Sequence, residues 1–245
     1  MKLKLSAVKS KGFFITGTDT DVGKTVISGT LLSVLNHGGE HACGFKPLAS
    51  GCLKRNNDLV SEDGCFLHHF SAEGLSLAAV SPVCFFDGIS PLGAALKTNQ
   101  PIPWHKIQHA LNEVQSTSTA IVVEGVGGVY APLDKNYTVL DMMVELQLPV
   151  VIVAQNKLGT INHTLLTVNA CLHAGLTVAA VVINEIDDAE DPSCKTNIDL
   201  IRAFIDVETV ISVPFAKEFS VTDISIPTSI YDAMQQVDWV SLMCE

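Results

Sequence analysis

Residues 15–32 read ITGTDTDVGKTVISGTLL, and the core of that stretch, Gly17 to Thr25, is G-T-D-T-D-V-G-K-T. The Gly-Lys-Thr ending, with a strand-like run before it and a helical pattern after it, is that of a phosphate-binding loop. Gly23 lets backbone N–H groups approach phosphate oxygens, and the following helix points its positive end at them. Lys24 adds a mobile cation for the terminal phosphates, and Thr25 offers a hydroxyl to a magnesium ion. The spacing, however, is longer than usual by one residue. The common pattern puts its first glycine five positions before Gly23, at Thr18, whereas here it is Gly17. Asp19 and Asp21 also sit inside a loop built to hold an anion.

Outward from the loop, apolar strand-like runs alternate with helical patterns. Strands are expected at 13–16, 42–46, 121–124, 150–155, 178–184 and 209–213, with helices at 23–37, 104–115, 140–147, 162–173 and 196–204. This alternation predicts an α/β fold of three layers, a mostly parallel sheet with helices on both faces, P-loop NTPase-like. One domain spans 1–245, with residues 1–11 as a flexible tail and 48–100 as an irregular flap or insertion.

The chain of 245 residues carries a net charge of −11, unevenly spread. Residues 1–60 hold eight Lys/Arg against four Asp/Glu, and only Arg55 and Arg202 are arginines. An acidic, arginine-poor chain with positive charge near the loop suits a small anionic ligand rather than nucleic acid. No apolar run is long enough to span a bilayer, so no membrane partner is expected. The start, MKLKLSAVKSKG, is interrupted by lysines and does not read as an export signal. With seven scattered cysteines, this points to a reduced, cytoplasmic setting. Cys65, His68 and His69 lack a second ligand pair at zinc spacing and are read as ordinary helix residues.

In parallel sheets, ligands sit beyond the carboxyl ends of the strands. Glu124 ends the apolar run AIVV just before Gly125, which is where a sheet delivers a carboxylate to a metal. Gly125, Val126, Gly127 and Gly128 follow, and the glycines permit close backbone approach. A second acid is expected from 48–100, with Asp58, Glu62 and Asp63 all open on residue logic alone. Lys46 stands at a strand end held extended by Pro47, with Ser50 just beyond. Asn156-Lys157-Leu158-Gly159 imitates a guanine-reading motif, but Gly159 replaces the carboxylate that would pair with guanine. Gly159-Thr160-Ile161-Asn162 opens a helix instead, and its free N–H groups could take a substrate carboxylate.

Taken in order, GTDTDVGKT, GFKPLASG, VVEGVGG, KLGTINH, VVINE and VPF resemble the dethiobiotin synthetase family over about residues 13–215. The resemblance implies closure of a cyclic urea from 7,8-diaminononanoate (diaminopelargonate), CO2 and ATP with Mg²⁺, through a carbamate and a carbamic-phosphoric anhydride. It places Thr20 and Asp21 at the reacting amine and carbamate, which accounts for the acids in the loop. Family members often carry Glu where this chain has Asp21. It assigns Lys46 and Lys24 to the phosphoryl group and carbamate, Ser50 to substrate, and Thr25, Asp63 and Glu124 to Mg²⁺. Asp63 is preferred over Asp58 because it fits without gaps to Ser50 and to Ser81-Pro82. It implies a nucleotide site from Asp21, Val22, Gly23, Lys24, Thr25, Val26, Asp63, Glu124, Gly125, Val126 and Gly127. Asn184, Glu185, Pro214, Phe215 and Ala216 would hold adenine. It also implies a homodimer in which Thr160, Ile161 and Asn162 of the partner subunit bind the substrate carboxylate. Rival readings are another ATP-dependent amide ligase and a partner-regulated ATPase switch. The first would need a glutaminase unit, and the second an early loop lysine that Thr18–Asp21 lacks. The acidic stretch 185–191 has no assigned role.

Overall fold

The computed structural model describes residues 3–56, 58–188, 191–217 and 219–243. The strands are β1 (Lys11–Gly17), β2 (Ala42–Phe45), β3 (Leu53–Arg55), β4 (Asp58–Val60), β5 (Ala120–Gly128), β6 (Pro132–Asp134), β7 (Tyr137–Thr138), β8 (Val150–Gln155), β9 (Val178–Asn184) and β10 (Thr209–Val213). Six of them form one sheet in the order β10-β9-β8-β1-β5-β2, and every pairing in it is parallel. Strands β8 and β9 are buried at nearly every position rather than at alternate ones. Burial on both faces requires cover on both faces, as expected for a parallel sheet.

The covering helices are α1 (Lys24–His37), α2 (Glu62–Phe70), α3 (Leu77–Val80), α4 (Pro91–Thr98), α5 (Trp104–Thr117), α6 (Val139–Leu146), α7 (Thr160–His173), α8 (Cys194–Phe204), α9 (Thr228–Gln235) and α10 (Trp239–Leu242). All six expected strands and five expected helices are present. The ends of α5, α7 and α8 move outward by two residues, and β5 runs on through its glycines to Gly128.

Three regions differ from the sequence reading. Residues 48–100 are not irregular: they hold the β3–β4 hairpin and helices α2, α3 and α4. These elements are short, so no periodic run announces them. The C-terminal helices α9 and α10 also escape a period-based reading. They close the core, with Trp239 2% exposed and edge-on to Phe13 at 5.6 Å between ring centroids. The expected solvated tail is contradicted for residues 3–11. Leu5 is 2% exposed. Its N–H donates to Glu145 Oε2 at 2.8 Å, and the Lys4 N–H donates to Glu145 Oε1 at 3.0 Å. Lys4 Nζ pairs with Asp134 at 2.9 Å, and Lys11 opens β1. A lysine-rich stretch becomes part of the fold because its lysines find acids and its leucine finds the core.

Candidate active site

The loop between β1 and α1 turns on Gly23, whose φ of 90° is left-handed. A Cβ there would lie 2.1 Å from Asn184 Nδ2. Asn184, buried at the end of β9, donates to the Val22 carbonyl at 3.0 Å and so braces the loop from beneath. Asp21 also takes a positive φ, 56°, and its side chain is exposed. No side chain caps α1, which leaves its first N–H groups for an anion.

Beside this loop lies a cleft of about 340 Å³. Thr20, Asp21, Gly23, Lys24, Thr25 and Val26 line one side, and Lys46, Ser50, Asp63, Glu124, Val126 and Gly127 the other. The topology gathers them. Strands β1, β2 and β5 are neighbours, so the residues that follow each one meet at one sheet edge. Asp63 comes from the first turn of α2, which Ser61 caps by accepting from the Gly64 N–H at 3.0 Å. Asp58 belongs to the hairpin instead, opposite Arg55, and faces a different cavity. Val221 also lines the cleft. The sequence reading missed it, and an isolated valine in a loop carries no signal.

The centre of the cleft is a buried charge cluster. Lys46, 2% exposed, places Nζ 2.5 Å from Glu124 Oε1, 2.9 Å from Asp63 Oδ2 and 3.0 Å from the Gly125 carbonyl. The Thr25 hydroxyl donates to the same Glu124 Oε1 at 2.9 Å. Burial disfavours the Lys46 charge, but Asp63 and Glu124 outweigh it and hold the ammonium above the ordinary lysine range. Burial pushes Glu124 up against the opposing pull of Lys46. Burial also acts to raise Asp63, which is partly exposed, but Lys46 overcomes this and holds it below the usual range. Lys24, 7% exposed, donates to the Asp19 carbonyl at 2.8 Å. Burial, then repulsion from Lys46, lowers it to about 8.

The donor set fits a divalent cation. Glu124 Oε2 is fully buried and has no hydrogen-bond partner, an arrangement that costs free energy unless a ligand completes it. Two carboxylates and a hydroxyl, all oxygen donors, match magnesium chemistry, with phosphate and water oxygens filling the remaining positions. Among the described residues no group of three or more His, Cys, Asp or Glu stands together. His68, near Cys65 and His69 in sequence, bonds the Leu75 carbonyl at 2.9 Å.

The remaining predicted residues lie at the edges of this cleft or away from it. Gly125 is buried, and its carbonyl accepts from Lys46. Glu185 accepts from Asn156 at 3.4 Å, and its N–H donates to the Val213 carbonyl, next to Pro214, Phe215 and Ala216. Thr160, Ile161 and Asn162 form the first turn of α7, which no side chain caps and which follows Gly159 at φ 92°. They do not line the 340 Å³ cleft of their own chain. Further along the same helix, His163, Leu166 and Ala170 join Thr18–Thr20 and Gly127–Ala131 around a second, larger groove of about 660 Å³.

A three-layer parallel fold with a phosphate loop, two lysines and a metal-competent acid pair at its strand ends defines a P-loop NTPase-like enzyme. A family model described as an AAA domain matches residues 11–221. Among solved structures, the septum site-determining protein MinD of Pyrococcus horikoshii superposes with a TM-score of 0.55, covering 95% of this chain and 97% of that one. At 12% identity this likeness shows the fold alone. Curated relatives are more specific. The ATP-dependent dethiobiotin synthetase BioD of Bacillus subtilis (strain 168) is 36% identical over 192 residues, 78% of this chain and 82% of that protein. The ATP-dependent dethiobiotin synthetase BioD 1 of Escherichia coli (strain K12) is 38% identical over 177 residues, 72% and 79% respectively. The chain belongs to the ATP-dependent dethiobiotin synthetase family.

Proposed function

We propose that this protein carboxylates 7,8-diaminononanoate with CO2 and closes the ureido ring at the expense of ATP, giving dethiobiotin, ADP and phosphate. The observation that carries the reading is the buried Lys46, held between Glu124 and Asp63 and facing one cleft together with Lys24 and Ser50. One amine of the substrate adds to CO2 and loses a proton, forming a carbamate. A carbamate oxygen attacks the terminal phosphorus of ATP and releases ADP. The second amine then attacks the carbamoyl carbon, the C–O bond to phosphate breaks, and the ring closes.

Little covalent work falls to the protein, so proximity and charge neutralisation dominate. Lys24 neutralises the terminal phosphates from the loop side, and Lys46 the phosphoryl group and carbamate from the sheet side. Thr20 and Asp21 stand at the rim, placed to orient amine and carbamate, and Ser50 contacts the substrate. Thr25, Asp63 and Glu124 would hold Mg²⁺, which when bound supplies further positive charge to phosphate oxygens. Asn184 and Glu185, with Pro214–Ala216, form the adenine side.

We infer a homodimer in which the uncapped first turn of α7 of the partner subunit, Thr160 to Asn162, takes the substrate carboxylate. The apolar groove bounded by Val129, Tyr130 and Leu166, continuous with the loop through Thr20 and Gly127, suits the alkyl chain between. Among the described residues no helix is long and apolar enough to cross a membrane. We place the reaction in the cytoplasm, as one domain acting on small molecules without nucleic acid.

The test is fixation of labelled bicarbonate with ATP, Mg²⁺ and 7,8-diaminononanoate. Label in an acid-stable product, with ADP formed one to one, is expected. ATP hydrolysis without fixation would move the assignment to another ligase or to a switch ATPase.

A further inference from the structure

We infer that Asn197 is a positioning residue for the substrate carboxylate: with Asp191 and Cys194 it fixes the turn at 156–159, and so the first turn of α7. The inference rests on the reading above, that Thr160 to Asn162 of the partner subunit take that carboxylate. The turn has little of its own to hold it in place. Leu158 is 78% exposed, and a Cβ at Gly159 would meet no atom within 4 Å. No side chain caps α7. The Thr160 N–H returns to the Lys157 carbonyl at 3.1 Å, and the His163 N–H donates to the Gly159 carbonyl at 3.2 Å. That leaves the N–H groups of Ile161 and Asn162 for an anion, and their direction is set by the turn before them.

The restraint comes from the leading end of α8, where Asn197 lies 41 positions beyond Asn156. Asn197 Nδ2 donates to Asn156 Oδ1 at 2.9 Å and to the Lys157 carbonyl at 3.2 Å. The Cys194 thiol donates to the Asn156 carbonyl at 3.3 Å, and Asn156 Nδ2 donates to the Cys194 carbonyl at 3.4 Å. Asp191 holds the same turn through its carboxylate. Its Oδ2 accepts from the Leu158 N–H at 2.7 Å, and its Oδ1 accepts from the Ser193 N–H at 2.9 Å. Three consecutive residues, Asn156 to Leu158, are therefore tied to α8 and to the residues that lead into it.

Of these anchors Asn197 is the buried one, 2% exposed, one helical turn before the buried Ile201 on α8. An apolar side chain would suit that face, and burying an amide costs free energy unless its polar atoms are paired. Its two nearest partners both belong to the turn, so the amide serves placement rather than packing. The same contacts account for two features that the reaction chemistry leaves aside. Asn156 imitates a base-reading asparagine, but its amide oxygen is taken by Asn197 and its nitrogen by Cys194 and by Glu185 at 3.4 Å. Asp191, which ends the acidic stretch 185–191, anchors Leu158. A carboxylate remote from the reacting amines keeps the same contacts before and during ring closure. Misplacing this turn therefore weakens diamine binding and spares the chemical step.

The test compares 7,8-diaminononanoate with 2,3-diaminononane, which has a methyl group in place of the carboxylate, in ring-closing assays of the parent, Asn197→Leu and Asp191→Ala. Leucine keeps the buried volume of α8, and alanine at the partly exposed Asp191 leaves the core alone. Both variants should raise KM for 7,8-diaminononanoate, Asn197→Leu by about tenfold, with kcat and the KM for ATP held within about twofold. The parent's preference in kcat/KM for the carboxylate-bearing diamine should shrink by the same factor. An equal loss for both diamines is the mark of a merely structural role and overturns the proposal. Asn162→Ala separates the proposal from the reading beneath it. If that variant abolishes the preference and Asn197→Leu keeps it, α7 remains the carboxylate site and the positioning role falls; if the parent shows no preference, both fall. Hydrogen exchange of the ligand-free protein needs no turnover. The amides of residues 158–160 should exchange at least about fivefold faster in Asn197→Leu, and unchanged protection overturns the proposal whatever reaction the site performs.

Discussion

Replacing Lys46 by methionine removes a charge and keeps most of the side-chain volume. In the parent, Nζ lies 2.5 Å from Glu124 and 2.9 Å from Asp63. At an effective dielectric of about 20, each contact corresponds to roughly 6 kcal/mol of attraction before desolvation is subtracted. Burying three charges offsets much of that. Removing one member of such a cluster still costs about 3–5 kcal/mol, because it strands the partner that cannot reach water. Here that partner is Glu124, which is fully buried, whereas Asp63 can turn towards solvent. For a domain of this size the loss corresponds to roughly 10 °C in Tm.

The pH dependence has a defined sign. Burial already raises Glu124 above its ordinary 4.5, and Lys46 opposes that rise. In Lys46→Met the folded carboxyl is raised further. Between the unfolded and folded values the folded state binds more protons, so the variant loses stability as pH rises through that window. The Tm gap to the parent should be small near pH 5 and full at pH 8. Thermal unfolding of ligand-free protein without Mg²⁺ at both pH values measures it, beside ring-closing turnover, which should be abolished. A gap below about 2 °C at pH 8, or one equal at both pH values, would refute the account of the charge cluster.

Gly23→Ala forces a Cβ into a left-handed backbone 2.1 Å from Asn184 Nδ2. It should cost about 1–3 kcal/mol and weaken ATP at least tenfold by calorimetry; parent-like affinity would mean the loop is not braced by Asn184. Lys24 titrates near 8 in the free protein. ATP affinity should therefore hold below pH 8 and fall above it, which titrations at pH 7, 8 and 9 would show. Ligand-free stability should carry the opposite contribution from this lysine, rising between about pH 8 and its ordinary 10.5 as the buried charge is relieved. Asn162→Ala should raise KM for the diamine several-fold and leave that for ATP unchanged. The reverse pattern would remove α7 from the substrate side.

What the sequence determined by itself is whatever is contiguous. The phosphate loop lies within nine residues, and its glycine, lysine and threonine declare their chemistry through spacing alone. The central strands are buried on both faces, so each appears as an unbroken apolar run, and Gly38-Gly39 marks the end of α1. Lys46 and Glu124 were legible because strand ends in a parallel sheet converge on one edge. Tertiary structure decided the contacts that link distant segments. Asp58, Glu62 and Asp63 are equivalent acids in the chain, and only the position of α2 beside β2 turns Asp63 towards Lys46 and leaves Asp58 on the hairpin. Leu5 reads as tail until Glu145, whose carboxylate also accepts from the Tyr137 hydroxyl, receives its N–H. Val221 in the cleft carries no local pattern. Periodicity records which face of an element is buried; which residue lies opposite it depends on how the elements pack, and that is settled only when the chain closes on itself.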